Sequence, residues 1–383
     1  VLKISIDHPE ADADELEQLR DAVGRFLERE VLPNLEAWDA AGYVPREVWR
    51  KAGEAGLLMV SAPAEYGGGG ANFAYDAIII DELGRRGAHS FLLAIQNTIF
   101  APYLVELGSE EQKRRWIPKI ASGEMIAAIS MTEPDSGSDL RNMRTAARRE
   151  GDSYVINGQK IFTTLGHQAD LLMVACKTSD DPHAGISLFF VETGTPGFAR
   201  GRKLDKIGLN MEATAELFFD NVRVPAENLI GGQEGLGMTQ LTTNLAQERL
   251  VVAIQSAAMM ARAIGETVTY VKQRRAFRQT IFDFQNTQFT LAECKTDATI
   301  ANAFVSDCIR RHLSRDLDGV TAAMAKMWVS EAQGKMIDRC LQLFGGYGYI
   351  NEYPIARMYR DTRAARIFGG TNEIMRLIIG RSL

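Results

Sequence analysis

The run Met131-Thr132-Glu133-Pro134-Asp135-Ser136-Gly137-Ser138-Asp139 sets three hydroxyls and a glycine beside one another where a strand-like segment gives way to a turn. Such a tight polar loop can offer O–H and N–H donors to a ligand, and by spacing alone it specifies none. A second concentration of chemistry is Lys272, Arg274, Arg275 and Arg278, with enough positive charge for a pyrophosphate. The cluster Gly67 to Gly70 reads as a turn, because a phosphate loop needs a Lys-Ser or Lys-Thr pair leading into a helix and here Ala71-Asn72-Phe73 follows. No Gly-x-Gly-x-x-Gly follows a strand and opens a helix, and the alternating βαβ order of a dinucleotide fold is missing, so nicotinamide binding is not expected. Cys176, Cys294, Cys308 and Cys340 are scattered, and the residues three before His8, His89, His167, His183 and His312 are Ser5, Arg86, Thr164, Asp180 and Ile309. With neither a Cys-x-x-Cys pair nor a Glu-x-x-His pair, no metal site is expected.

The 383 residues carry 43 basic and 49 acidic side chains, a formal charge of −6, so a whole-chain affinity for nucleic acid or anionic membrane is not expected. Arg357, Arg360, Arg363 and Arg366 recur every third residue on a helical stripe and are read as ion-pairing residues. Four unpaired thiols fit a reducing compartment. The N-terminus is acidic and lacks the basic stretch and apolar core of a secretory signal. The best membrane-span candidate, Phe91 to Leu107, is broken by Gln96, Asn97, Pro102 and Glu106, so a soluble protein is expected.

These groups must be positioned by elements that change character twice. Leu16, Leu19, Val23, Phe26 and Leu27 follow helical spacing up to Pro33, and helices are predicted over Arg46 to Ala55, Ala74 to Arg86 and Ser90 to Leu107, each followed by a glycine. Ser109 and Gln112 form a capping box for one more, closing at Gly123. From Met125 short β-rich runs take over: Met125 to Met131, Tyr154 to Ile156, Leu171 to Ala175, Ile186 to Val191 and Ala215 to Phe219. Helical periodicity returns over Met238 to Arg275, Asn286 to Leu313 and Gly319 to Phe344, long segments without heptads that predict an antiparallel bundle. The fold class expected is α+β and multidomain: an N-terminal helical domain (1–124), a middle β-barrel-like domain (125–235) and a C-terminal four-helix bundle (236–383).

The polar loop resembles the Thr-Glu-Pro-Gly-Ala-Gly-Ser-Asp signature of acyl-CoA dehydrogenases. Three more stretches match that family in order: Asn157-Gly158-Gln159-Lys160-Ile161-Phe162, Phe344-Gly345-Gly346-Tyr347-Gly348-Tyr349 and Gly370-Thr371-Asn372-Glu373-Ile374. The resemblance spans essentially the whole chain and is nearest to the long-chain branch. It implies an FAD-dependent homotetramer, a dimer of dimers, that oxidises the Cα–Cβ bond of an acyl-CoA to the trans-2-enoyl form and passes electrons to an electron-transferring flavoprotein. It places such a protein in the bacterial cytoplasm or, in a eukaryote, in the mitochondrial matrix after removal of a transit peptide. Two other readings stay open at this point, an oxygen-using flavoenzyme of the same fold and a catalytically silent FAD-bound scaffold.

Many members carry the catalytic glutamate just before the Gly-Thr of the last motif, where this chain has Gly369. The long-chain and isovaleryl branches carry it on the first helix of the C-terminal bundle, where this chain has Glu248 in Gln247-Glu248-Arg249. Leu245, Val251 and Val252 flank Glu248 at helical spacing, so the carboxylate is expected to be desolvated and a better base. The backbone N–H of Gly369 keeps the role of donor to the thioester oxygen, and Ser138 and Arg249 are assigned to substrate. The resemblance assigns Thr132, Ser138, Phe162 and Thr164 to the flavin, and Arg274, Phe277, Gln285, Gln342 and Gly346, partly from a second subunit, to its adenosine half, with Thr371 and Glu373 contributing. The helix over Phe91 to Pro102 is assigned to the acyl pocket by the same analogy. The chain departs from the family pattern at Asp135-Ser136, at Leu165, where asparagine is common, and at Arg278, where glycine is usual.

Overall fold

The computed structural model describes residues 2–181 and 185–383. His183 lies outside the described residues. The first unit holds helices α1 (Ala13–Phe26), α2 (Leu35–Ala41), α3 (Arg46–Glu54), α4 (Phe73–Arg86), α5 (Ala101–Leu107) and α6 (Glu110–Ala121). Local sequence sets their ends. Asp12 accepts the Asp14 and Glu15 N–H groups to open α1, and Ser109 and Gln112 exchange both bonds of the expected capping box at α6. Helix α4 is buried along most of its length, and two of its acidic residues, Asp81 and Glu82, are held by Arg20, which donates to each at 2.6 Å.

The predicted helix over Ser90 to Leu107 needs correction. Helical backbone begins at Leu93, and Ile95–Phe100 is a π-helical stretch before α5. Pro102 gives a physical reason for the irregularity: it has no N–H and its ring clashes with the carbonyl four residues back, so regular α-bonding fails there. The polar residues of this stretch work as ties. Gln96 exchanges two hydrogen bonds with Ala127 (2.7 and 2.9 Å), and Asn97 accepts from Met59 and donates to Leu57.

The middle unit is a seven-stranded sheet of β1 (Ala127–Ser130), β2 (Ala146–Glu150), β3 (Ser153–Thr163), β4 (Leu171–Lys177), β5 (Ile186–Glu192), β6 (Phe198–Lys203) and β7 (Ala215–Pro225). Its path runs β1-β4-β2-β3-β7-β6, with β5 on β4. β1 lies parallel to β4, and β3 and β7 form the long antiparallel pair. Alternation splits β4 between two cores: Leu172, Val174 and Cys176 face one that includes α1, α3 and α4, and Leu171, Met173 and Ala175 face one that includes α5 and α6. Strands β2 and β6 escape the sequence reading because their charged residues (Arg148, Arg149, Arg200, Arg202, Lys203) hide the pattern on which strand prediction depends.

The third unit comprises the long helices α7 (Gly237–Gln273), α8 (Gln285–Leu313) and α9 (Gly319–Phe344), then α10 (Pro354–Thr362) and α11 (Asn372–Gly380). The fourth place in the bundle is filled by the two short helices, both packed on α9. A hairpin of β8 (Arg275–Ala276) and β9 (Gln279–Thr280) joins α7 to α8. Helix α7 also packs on α4, where a Cβ at Gly84 would lie 2.6 Å from that of Ala258. The first and third units therefore pack closely there, α4 against the stretch of α7 that carries Ala258.

Candidate active site

Three consecutive residues of α7 are each tied to a different element. The Thr98 carbonyl, which Pro102 cannot satisfy four residues on, accepts from Gln247 Nε2 at 2.7 Å, and Gln247 Oε1 lies 2.9 Å from His312 Nε2 on α8. Glu248 Oε1 accepts from the Tyr103 hydroxyl of α5 at 3.0 Å. Arg249 donates to the Gly319 carbonyl at the start of α9 at 3.3 Å.

Glu248 is 7% exposed, with Leu250, Val251 and Val252 buried around it. Burial pushes its carboxyl up to about 7, against the smaller opposing effects of the Tyr103 hydroxyl and the Arg249 charge. Desolvation, reinforced by the Glu248 charge, drives the Tyr103 phenol well above its ordinary value, so it keeps its proton and remains a donor. The carboxylate thus neither faces solvent nor rests on a cationic hydrogen-bond donor, and its proton affinity lies near neutrality, where a general base works best.

The loop before α11 comes to the same place. Gly369 and Gly370 hold φ of +64° and +84°, a left-handed pair that side chains resist, and a Cβ at Gly369 would lie 3.6 Å from Val252, one turn beyond Glu248. Positions 248 and 369 therefore converge on one stretch of α7. The loop is gripped from below by Lys326 of α9, which donates to the Gly370 carbonyl at 2.7 Å and to Asn372 Oδ1 at 2.8 Å. Asn372 donates in turn to Ser330 and to Glu331, each at 3.0 Å. Burial lowers the Lys326 ammonium to about 8, and the Arg249 charge adds to the shift. Thr371 caps α11 by accepting the Ile374 N–H, and Glu373 is exposed beside Arg376.

On the sheet, Ile161 N–H donates to the Thr132 carbonyl at 2.9 Å, which sets Thr132 beside Phe162. A register shift between Lys160 and Thr163 lifts Phe162 out of the ladder at φ +57°, with 62% of it exposed. A large aromatic held in left-handed backbone and open to solvent is costly in the chain alone and suits a wall for a flat heteroaromatic ring. Thr164 is half-buried next to it, and Ser138 is exposed on the polar loop. The departure at Leu165 also lies in left-handed backbone, at φ +60°, a conformation in which asparagine is less strained.

Arg274, Phe277, Gln285, Gln342 and Gly346 are all exposed and lie at the other end of the bundle, where the Arg274 guanidinium sits 5.4 Å from the centre of the Tyr347 ring. Arg274 is roughly 39 Å from Glu248 along α7, at 1.5 Å per residue. Sequence reasoning missed Tyr103, Lys326 and Asn372. A signal for Lys326 was present, since Ala322, Ala323, Val329 and Ser330 surround it at helical spacing. Nothing local marks Tyr103, whose partner is 145 residues away.

A helical unit and a bundle clasping a curled sheet, with a buried near-neutral carboxylate and an exposed aromatic wall, define the architecture of a flavin-dependent acyl-CoA oxidoreductase. Comparison with known proteins agrees along the chain: family models described as the acyl-CoA dehydrogenase N-terminal, middle and C-terminal domains match residues 13–124, 128–222 and 235–383. The long-chain specific acyl-CoA dehydrogenase of Sus scrofa mitochondria is 43% identical over 95% of this chain and 85% of its own. An isovaleryl-CoA dehydrogenase of Oryza sativa mitochondria is 37% identical over 97% of this chain and 91% of its own. The crystal structure of an acyl-CoA dehydrogenase from Geobacillus kaustophilus superposes with a TM-score of 0.95 at 45% identity, covering 98% of this chain and 99% of that one. The chain belongs to the acyl-CoA dehydrogenase family, whose members are FAD-dependent oxidoreductases acting on acyl-CoA. No helix among the described residues is long and apolar enough to cross a membrane.

Proposed function

We propose that this protein is an acyl-CoA dehydrogenase of medium- to long-chain or branched acyl-CoA substrates, with Glu248 as the base that removes the α-proton. The observation that carries the reading is the buried Glu248 carboxylate, held near neutrality one turn from the vacant Gly369. Relatives from both the long-chain and the isovaleryl groups support the substrate range. Bound FAD supplies the acceptor for the hydride that leaves the β-carbon. The chain's own part is to remove the α-proton at Glu248, to stabilise the charge growing on the thioester oxygen through the Gly369 N–H, and to keep water out with Val251, Val252 and Tyr103. Arg249 and Ser138 are assigned to the substrate, and Thr132, Ser138, Phe162 and Thr164 to the flavin.

The adenosine half falls to Arg274, Phe277, Gln285, Gln342 and Gly346, partly from a second copy, because within one chain Arg274 lies too far along α7 from Glu248 for one dinucleotide to span both places. This arrangement requires an oligomer, and a homotetramer built as a dimer of dimers meets the requirement. An electron-transferring flavoprotein is the proposed electron acceptor.

Anaerobic titration of the flavin-loaded protein with a panel of acyl-CoAs tests the reading. One chain type should bleach the visible flavin band, and the reduced protein should be reoxidised by an electron-transferring flavoprotein faster than by oxygen. A protein that binds FAD and is bleached by no acyl-CoA would overturn the assignment, and rapid reoxidation by oxygen alone would favour an oxidase.

A further inference from the structure

We propose that Tyr103 is the positioning residue of the catalytic carboxylate, holding Glu248 in one orientation from the opposite helix. The inference rests on the reading of Glu248 as the base. Its foundation is geometric. The Tyr103 hydroxyl stands 3.0 Å from Glu248 Oε1, the tyrosine is fully buried, and Glu248 is 7% exposed. The two residues come from α5 and α7, so the bond fixes a side chain across a helix interface rather than within one helix.

A buried glutamate without such a partner would swing among rotamers and pick up a proton more readily. The phenol suits the task because it is neutral: it can stabilise the carboxylate without quenching it as a guanidinium would. The charged and titratable groups around the pair agree with this division of labour. Arg249 is directed to Gly319, Lys326 to the Gly370 loop, and Glu106 on α5 acts on Tyr103 rather than on Glu248. The placement of Tyr103 depends on the π-helical stretch before it, since one extra residue per turn there rotates α5 relative to a regular helix and sets which side chain faces α7.

The test is single-turnover flavin reduction by acyl-CoA in the anaerobic holoenzyme, followed across the neutral pH range. In Tyr103→Phe, loss of a donor to the carboxylate raises its proton affinity. The acid limb should move up by about one pH unit, making reduction about tenfold slower on the acidic side. Site-specific 3-fluorotyrosine at position 103, a stronger donor of the same shape, should move the limb the other way, and this arm stands even where the phenylalanine variant folds poorly. A limb that stays in place in both proteins, with change only in KM or melting temperature, would reduce Tyr103 to packing and overturn the proposal. Glu248→Gln separates the two ideas. If it abolishes reduction while the Tyr103 variants leave the limb unmoved, the positioning role alone fails; if it still reduces flavin at the wild-type rate, the base assignment fails and the Tyr103 role falls with it.

Discussion

Glu248→Gln removes the carboxylate proposed to take the α-proton, and the rate of flavin reduction by acyl-CoA is expected to fall at least a thousandfold, on the order of 4 kcal/mol of barrier, with FAD still bound. In the wild type, reduction should require the ionised carboxylate and so decline as pH falls through about 7. The same shift has a consequence for stability with the opposite slope. A carboxyl raised by burial binds its proton more tightly in the folded state. Its favourable contribution is therefore complete below the unfolded value of about 4.5 and is lost as pH rises through about 7. Denaturant unfolding of the apoprotein should find Glu248→Gln more stable than wild type on the alkaline side, by on the order of 3 kcal/mol, and close to it on the acidic side. Lys326→Met probes the other half of the site. The Gly370 carbonyl loses its donor, and with it the loop that carries the proposed Gly369 donor loses an anchor. Flavin should stay bound while reduction slows by about tenfold, as expected for one hydrogen bond to a charged group.

Among the elements, the β8–β9 hairpin makes the sharpest prediction. Phe277 and Arg278 occupy its two turn positions at φ of +51° and +66°, the pair of left-handed conformations that a tight hairpin with right-handed twist demands. The family pattern of glycine at the second position follows from that geometry, and Arg278 departs from it at a cost in strain. Arg278→Gly should raise stability by about 1 kcal/mol in thermal unfolding. Where the hairpin contacts the adenosine half of a neighbour's FAD, the same variant should release flavin more readily on dilution. Comparing the melting temperatures of apo and FAD-loaded protein separates the two effects. The π-helical stretch Ile95–Phe100 belongs to this scale as well: the sequence reading ran one helix through Pro102, and that Gln247 would claim the Thr98 carbonyl depended on where α7 comes to lie.

For the molecule as a whole, the decisive point is a junction where all three units meet. Asp361 of α10 accepts from His89 Nε2 at 2.8 Å, at the end of the N-terminal unit's α4, and from the backbone N–H of Leu209, in the middle unit, at 2.7 Å. Both side chains are 2% exposed, so either partner alone would be a buried polar group left unsatisfied. Despite desolvation, His89 and the Leu209 N–H hold the Asp361 carboxyl below its ordinary value, so its contribution is present above the unfolded carboxylate range and is lost as pH falls below it. Asp361→Ala should destabilise the protein by about 3 kcal/mol. Calorimetry should then show one unfolding transition for the wild type and more than one for the variant, since the variant cuts the polar tie between units without touching their separate cores. Persistence of one sharp transition would show that apolar packing alone couples them.

The amino-acid sequence by itself determined the order of the units, the limits of the long helices and the identity of the family, because periodicity, caps and ordered motifs are local properties of the chain. It also located Glu248 and its apolar surroundings, since residues three and four apart on a helix share a face whatever the helix packs against. Strands β2 and β6 were beyond it: their side chains are charged and only pairing with neighbours makes them strands. The tertiary structure alone decided that Tyr103 meets Glu248, that Lys326 reaches under Gly370 and that His89, Asp361 and Leu209 share one junction. Each of these is a contact across elements far apart in the chain, fixed by how the helices cross. No spacing along the sequence encodes that crossing, because it is set by the fit of whole surfaces against one another.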